Sequence, residues 1–256
     1  MTDKIDPQVA GCGDCRDMPP LPFEFTMAFQ PIVDINQRNI FAHEALVRGI
    51  NGEGAYAILS QVTEANRYQF DQLCRIRAIE LATRLQMQSY LSINFLPNAV
   101  YRPQACIRST LEAARKNNFP CERIIFEVTE SEPIRDPDHL ANIFFEYRNR
   151  GFVTAIDDFG AGHAGLNLLA EFQPHIIKLD MDLIRNLDSN RVRQSIVKGV
   201  VGTALELDIT IIAEGVETRA ELDTLRAMGV NLFQGYLFAK PAIEHLPTVD
   251  FGLLDS

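Results

Sequence analysis

Several things are missing from this chain of 256 residues. No stretch of about 20 apolar residues is free of charge, as a membrane-crossing helix requires. The most apolar region, residues 196–212, is interrupted by Lys198, Glu206 and Asp208. The first residues are acidic and include no apolar core of the kind found in secretory signals, so a cytoplasmic protein without a membrane partner is expected. Basic charge is scarce: 24 Lys and Arg against 34 Asp and Glu leave a formal net charge of −10. That balance argues against unassisted binding to a nucleic-acid polymer, and a phosphate-bearing ligand would need local help from metal ions or a few cations. Five cysteines, an odd number in a long chain, do not make a disulfide framework. Cys12-Gly-Asp-Cys15 has no second such pair nearby and reads as linker rather than as a metal or redox site.

What is present leaves room for a substantial core. At 46% hydrophobic, the chain suits one large domain or two small ones, and a single α/β barrel commonly has about 250 residues. Residues 1–22 carry Gly, Pro, Asp and Cys without periodicity and end in MPPLP. They predict a flexible N-terminal tail ahead of one domain over residues 23–256, with too little chain left over for a sensory domain. From Phe25 the pattern turns regular. FTMAFQPIVD and IFAHEALV read as two strands joined by turn residues 36–39. LSINF, IIFEVTE, FVTAIDD, IIKL, TIIAE and LFQGYLF read as six more. Helical patterns separate them: residues 55–87 in one or two pieces, after Pro103, after Asp138 with Gly151 as its stop, through Leu169, over 191–207, and over 219–228 with Gly229 as its stop. Repeated β-then-α units imply a parallel sheet, and eight of them imply closure. The short turn between the first two strands forces those to be antiparallel. The expected fold is α/β, a modified TIM-type (β/α)8 barrel with one antiparallel strand.

Polar residues follow most of these apolar runs: Glu44, Asn94, Glu127, Asp157 with Asp158, Lys178 and Glu214. A buried parallel strand reads as a continuous hydrophobic run, and a charge at its end costs stability unless it meets a partner or a metal. In a parallel barrel all such ends open on the face that carries the active site. No Cys or His holds an equivalent position. Hard oxygen donors favour Mg²⁺ or Mn²⁺ over zinc. Adjacent aspartates can serve two metals, an arrangement suited to in-line displacement at phosphorus. Lys178 would orient the water or neutralise developing charge; among carboxylates it should stay protonated, which makes it a poor general base.

Each residue alone has an ordinary explanation. A Glu at a strand end serves as a surface ion pair, Asp157-Asp158 and Asn94 as turn formers, and Lys178 as a salt-bridge partner. Gly160 and Gly162 give a loop backbone freedom, and His43, alternating with Glu44, is expected in the core. Those explanations would have to hold at every position at once.

At these residues the sequence resembles the EAL family of bacterial cyclic di-GMP phosphodiesterases. The matching segments, in order, are Gln30-Pro31-Ile32-Val33, Glu44-Ala45-Leu46-Val47-Arg48, Asn94-Phe95-Leu96-Pro97, Glu127-Val128-Thr129-Glu130 and Asp157-Asp158-Phe159-Gly160-Ala161-Gly162. Lys178-Leu179-Asp180, Glu214-Gly215-Val216-Glu217-Thr218 and the stretch from Gln234 to Pro241 complete the set, over about residues 25–246. The resemblance implies hydrolysis of cyclic di-GMP to linear pGpG with two Mg²⁺ or Mn²⁺ ions. By similarity, Glu44, Asn94, Glu127 and Asp157 bind metal, Asp158 serves the second ion, and Glu214 completes the metal site. Lys178 holds the attacking water, and Glu217 and Gln234 support the metal or water shell. Gln30 and Arg48 bind substrate, Arg48 as the cation that meets a phosphate. Glu130 steadies the Asp-Asp-Phe-Gly loop, which the family couples to dimerisation, so a homodimer is expected.

Three departures from the family pattern stand out. The segment between Arg48 and Asn94, which includes GEGAYAILSQVTEANRYQFDQ, is shorter than usual, which puts the substrate lid in question. His163-Ala164 stand where an aromatic and a Ser are common, and Leu183 where Phe is common. Two alternatives remain open on sequence alone. One is a catalytically silent EAL module that binds cyclic di-GMP or a protein partner for signalling. The other is a Mg²⁺-dependent barrel lyase of the enolase type, against which paired aspartates beside an Asn favour phosphate chemistry.

Overall fold

The computed structural model describes residues 20–129, 136–162 and 165–255. Cys12, Cys15, Glu130, His163 and Ala164 lie outside the described residues, as does most of the proposed tail.

β1 (Phe25–Asp34) is buried from Phe25 to Val33. At its end the Asp34 Oδ1 accepts from the backbone N–H groups of Asn36 and Gln37, both at 2.9 Å. This side-chain turn reverses the chain into β2 (Asn39–Gly49), which pairs antiparallel with β1 and sets Gln30 opposite Glu44. β3 (Tyr90–Asn94), β4 (Ile124–Thr129), β5 (Val153–Phe159), β6 (Ile176–Leu179), β7 (Thr210–Ala213) and β8 (Leu232–Gln234) then add one by one, each parallel to the last. β8 returns to β1 with Ile32 opposite Gln234, closing a barrel of eight strands in which β1 is reversed, as expected. A two-residue strand, β9 (Ala242–Ile243), extends the same edge of β1 and was not anticipated.

The connecting segments hold further surprises. Residues 55–87 divide into α1 (Ala55–Leu59) and α2 (Arg67–Arg84), and the helix after Pro103 divides into α3 (Pro103–Cys106) and α4 (Arg108–Lys116). α5 (Pro137–Asn149) is capped by Asp136, whose Oδ1 accepts from His139 N at 3.1 Å, with Pro137 in the first turn. After α6 (Gly165–Glu171), a short helix that sequence reasoning missed, α7 (Met181–Ile184), is capped by Asp180. α8 (Arg191–Glu206) is capped by Asn190, and α9 (Arg219–Ala227) opens with a Thr218–Glu221 capping box. None of the described helices is long and apolar enough to cross a membrane.

Two apolar layers position the site. The larger lies between the barrel wall and the helices, where rings such as Phe95, Phe126, Phe144, Tyr147 and Phe152 pack together. The smaller is a floor inside the barrel, made by Ile32, Ala42, Ile125, Ala155, Ile176, Ile212 and Leu232. Side chains alternate across a strand with a period of two. One pleat beyond each floor residue, on the same inner face, therefore stand Gln30, Glu44, Glu127, Asp157, Lys178, Glu214 and Gln234.

The last strand is shorter than LFQGYLF. It stops at Gln234 because the chain turns at Gly235, pressed against Val216, with Val216 N donating to Gln234 O and Leu237 N to Val216 O, both at 3.1 Å. A Cβ at Gly235 would lie 2.0 Å from Val216 O and 2.4 Å from Val216 N. Gly235→Ala should therefore destabilise the protein by about 3 kcal/mol, the upper range for overpacking. Urea unfolding checks this, and a loss below about 1 kcal/mol would contradict the close approach.

Candidate active site

The inner-face residues of β2, β4, β5 and β6, with Glu214 just past β7, converge on one ammonium group. Lys178 Nζ lies 2.6 Å from Glu214 Oε1, 2.9 Å from Glu127 Oε2, 3.0 Å from Asp157 Oδ1 and 3.3 Å from Glu44 Oε2. Lys178 and Glu127 are fully buried. Glu44 Oε1 also accepts from Asn94 Nδ2, and Glu44 Oε2 from Gln234 Nε2, each at 2.8 Å. Gln234 Nε2 reaches Gln30 Oε1 at 3.3 Å, while Gln30 Nε2 donates to Ala239 O at 3.2 Å.

Asp157 and Asp158 share a face although they are neighbours. Adjacent strand residues ordinarily point to opposite sides, but β5 carries one extra residue between Ile156 and Phe159 relative to β6. Asp158 takes the left-handed conformation, with φ 53. This bulge re-aims the second carboxylate toward the barrel mouth. Behind the bulge Gly160, at φ +100, leaves the space that Leu183 fills, so the Leu183 departure is a matter of packing.

A cavity of about 250 Å³ opens on this cluster and is lined by Gln30, Glu44, Asp158, Asp180, Glu214 and Glu217 among others. A larger cavity, about 580 Å³, lies around the other end of the strands, against Asn39, Phe41 and Tyr90, and includes none of these groups. Two residues expected at the site are placed apart from the ammonium. Glu217 is held by Arg185 through a two-pronged ion pair of 2.9 and 3.0 Å. Arg48, two pleats beyond Glu44 along β2, turns its Nη1 back onto Val47 O at 2.7 Å. Glu130 falls outside the described residues.

Two further residues belong to the site. Ser92 Oγ donates to Glu127 Oε1, and the buried Asp180 lines the cavity beside Asp158. Both share the inner-face period, two residues before Asn94 and two after Lys178, a signal that could have found them. His43 is buried as expected, its Nδ1 2.8 Å from Ser89 Oγ.

The electrostatics follow from four carboxylates around one ammonium in a low-dielectric interior. Burial pushes Glu127 up to about 8, offset by Lys178 and reinforced by Glu44 and Asp157. Burial, with Asp157 next, holds Glu214 well above the usual carboxylate range. Asp158 rises to about 6, through burial and then Asp157 and Asp180. For Lys178, burial opposes the charge, but the four carboxylates together prevail and keep it protonated.

Such a site is short of positive charge. Oxygens of Glu44, Glu127 and Asp157 lie within 4.8 Å of one another, as do those of Asp157, Asp158 and Glu214. Gln234 Oε1 is buried without a donor. These oxygen donors fit divalent cations of the Mg²⁺ or Mn²⁺ kind.

A pH dependence follows. By about pH 7.5, one unit above the pKa of a free histidine, an unfolded histidine has lost nearly all its proton, and folded His43 titrates only near 4. From there to about 8 folded Glu127 holds a proton that an unfolded Glu has released. The folded state binds more protons, so stability should fall as pH rises through this window. In EDTA the melting temperature should drop between those limits, and Mn²⁺ should restore it by binding the folded state. An EDTA curve that rises, with no response to Mn²⁺, would contradict the charge-deficient site.

Known proteins resemble this chain in sequence and in fold. The antirepressor BluF of Escherichia coli (strain K12), blue light- and temperature-regulated, is 34% identical over 223 residues, spanning 87% of this chain and 55% of BluF. A cyclic di-GMP phosphodiesterase of Pseudomonas aeruginosa is 27% identical over 227 residues, spanning 86% of this chain and 38% of that protein. The chain thus spans about half, or less, of these relatives' length. Among solved structures, a standalone versatile EAL protein from Vibrio cholerae O395 in its c-di-GMP-bound form superposes with a TM-score of 0.89 at 55% identity, covering 91% of this chain and 99% of that one. A manganese/cyclic di-GMP complex of Klebsiella pneumoniae BlrP1 gives a TM-score of 0.82 at 34% identity, covering 88% of this chain and 58% of that one. The family described as EAL domain matches residues 23–241, and the chain belongs to it.

Proposed function

We propose that this protein hydrolyses cyclic di-GMP to linear pGpG. The observation that carries the reading is the Lys178 ammonium enclosed by Glu44, Glu127, Asp157 and Glu214, with Asn94 and Asp158 beside them. Support comes from the cyclic di-GMP-bound Vibrio cholerae neighbour and the Pseudomonas aeruginosa phosphodiesterase.

Glu44, Asn94, Glu127 and Asp157 would hold one Mg²⁺ or Mn²⁺, and Asp158 a second, with Glu214 completing the set. When bound, such ions acidify water and offset the charge that develops on phosphoryl oxygens. The protein's own groups do the rest. In the reaction a water oxygen bonds to phosphorus, one ring P–O3′ bond breaks, and the departing oxygen gains a proton, leaving a 5′-phosphate and a free 3′-hydroxyl. Lys178 donates toward the attacking water and steadies the anionic phosphoryl group, and its raised pKa keeps it from acting as the base. Gln234 fixes Glu44, and Gln30 lines the cavity where substrate would lie. Glu217 supports the water shell from its ion pair with Arg185, and Arg48 swings off Val47 O to meet a substrate phosphate. Glu130 would steady the loop that follows Asp158, and the same reading takes the protein as a cytoplasmic homodimer.

A second reading has an observation of its own. BluF is named an antirepressor, so a silent EAL module signalling by binding is the rival. The complete acidic set weighs against it.

Purified protein incubated with cyclic di-GMP and Mg²⁺ or Mn²⁺, with EDTA as control, should yield linear pGpG by chromatography. Asp157→Asn should lower kcat by at least about 100-fold, the scale of one charge-stabilising group, while keeping the fold. Cyclic di-GMP that is bound yet stays intact with either metal would favour the silent module. Arg48→Ala should raise KM about tenfold or more, as loss of a charged hydrogen bond to substrate would; an unchanged KM would remove Arg48 from the substrate site.

A further inference from the structure

Across the barrel wall from the carboxylates lies a second buried ion pair, which the proposed reaction does not use. On α2, the fully buried Arg75 places Nη2 2.7 Å from Asp71 Oδ2, and its Nη1 donates to Tyr147 Oη of α5 at 2.7 Å. The guanidinium carbon also sits 5.1 Å from the ring centre of Phe126 and 5.4 Å from that of Phe95. Phe95 directly follows Asn94, and Phe126 directly precedes Glu127. Strand alternation therefore puts the two rings on the helix side of the wall and the two site residues on the inner side.

The backbone is tied at the same place. Asp71 Oδ1 accepts from Leu96 N at 2.9 Å, just past Asn94, and Phe95 N donates to Glu127 O at 3.0 Å. A core filler would need none of this. Two phenyl rings can be covered by aliphatic side chains without desolvating an Arg and an Asp, and buried ion pairs are often no more stabilising than apolar replacements. What the pair adds is direction: one fixed acceptor for the Leu96 N–H, and one cation under both rings.

We propose that Asp71, Arg75 and Tyr147 form a positioning set that fixes the ends of β3 and β4, and with them the orientation of Asn94 and Glu127 toward a bound cation. The inference rests on the metal-dependent reading of the site given above. Supporting groups behind metal ligands typically govern 10–100-fold in metal affinity or activity, although here the support passes through backbone and ring contacts.

The test is Asp71→Asn/Arg75→Met, which removes both charges at nearly constant volume. Mn²⁺ binding is measured by titration calorimetry without nucleotide, alongside thermal melting and steady-state kinetics with cyclic di-GMP. The variant should melt near the parent temperature, bind Mn²⁺ about tenfold more weakly, and lose kcat with KM little changed. A folded variant with parental Mn²⁺ affinity overturns the inference and leaves the proposed function standing. A parent that binds no Mn²⁺ overturns the metal-dependent reading and this inference with it. If the double variant fails to fold, Tyr147→Phe decides, because it keeps the ring and the ion pair. Weakened Mn²⁺ binding then supports the positioning set, and parental binding overturns it.

Discussion

The buried charge inside this barrel centres on the Lys178 ammonium. Without it, four carboxylates carried on or just past four strands would face one another in an interior floored by isoleucine, alanine and leucine. One cation does not balance four potential anions, and burial, reinforced by that mismatch, shifts Glu127, Asp158 and Glu214 upward. The interior must take up either protons or further cations. The same low dielectric that makes the mismatch costly makes each correctly placed charge more effective.

That arrangement depends on regular alternation along the strands and one deliberate break in it. Alternation lifts seven residues one pleat above the floor on a common face. The break, at Asp158, supplies a carboxylate that no regular strand could present beside Asp157. The helices work from outside, where α2 and α5 meet behind β3 and β4. The barrel is thus held from two sides, by charge within and by packing without.

Much of this was legible in the residues. Continuous apolar runs ending in Glu44, Glu127, Asp157 or Glu214 pointed to the strands and their polarity, because a buried parallel strand reads as an unbroken hydrophobic run. What escaped notice did so for physical reasons. The stop at Gln234 depends on Gly235 meeting Val216, which is distant in sequence. The capture of Glu217 by Arg185 pairs two loops that no local pattern connects. Asp71 and Arg75, four apart on a helix, look like an exposed surface pair, and nothing local reveals that both are buried. Ser92 and Asp180 could have been found by extending the alternation one step on either side of Asn94 and Lys178.

The reversed first strand has a consequence for anything joined to this domain. In an all-parallel barrel the chain enters at the floor, far from the chemistry. Here Phe25 pairs with Gly49, at the rim where the other strands end, and Leu21, Pro22 and Phe23 run beside Ile50, Asn51 and Ala57. An extended leash reaches about 3.5 Å per residue, so a module fused ahead of Phe25 by only a few residues would sit at the same end of the barrel as the carboxylate cluster. The strand direction itself thereby brings anything attached upstream to the carboxylate end of the barrel rather than to its floor.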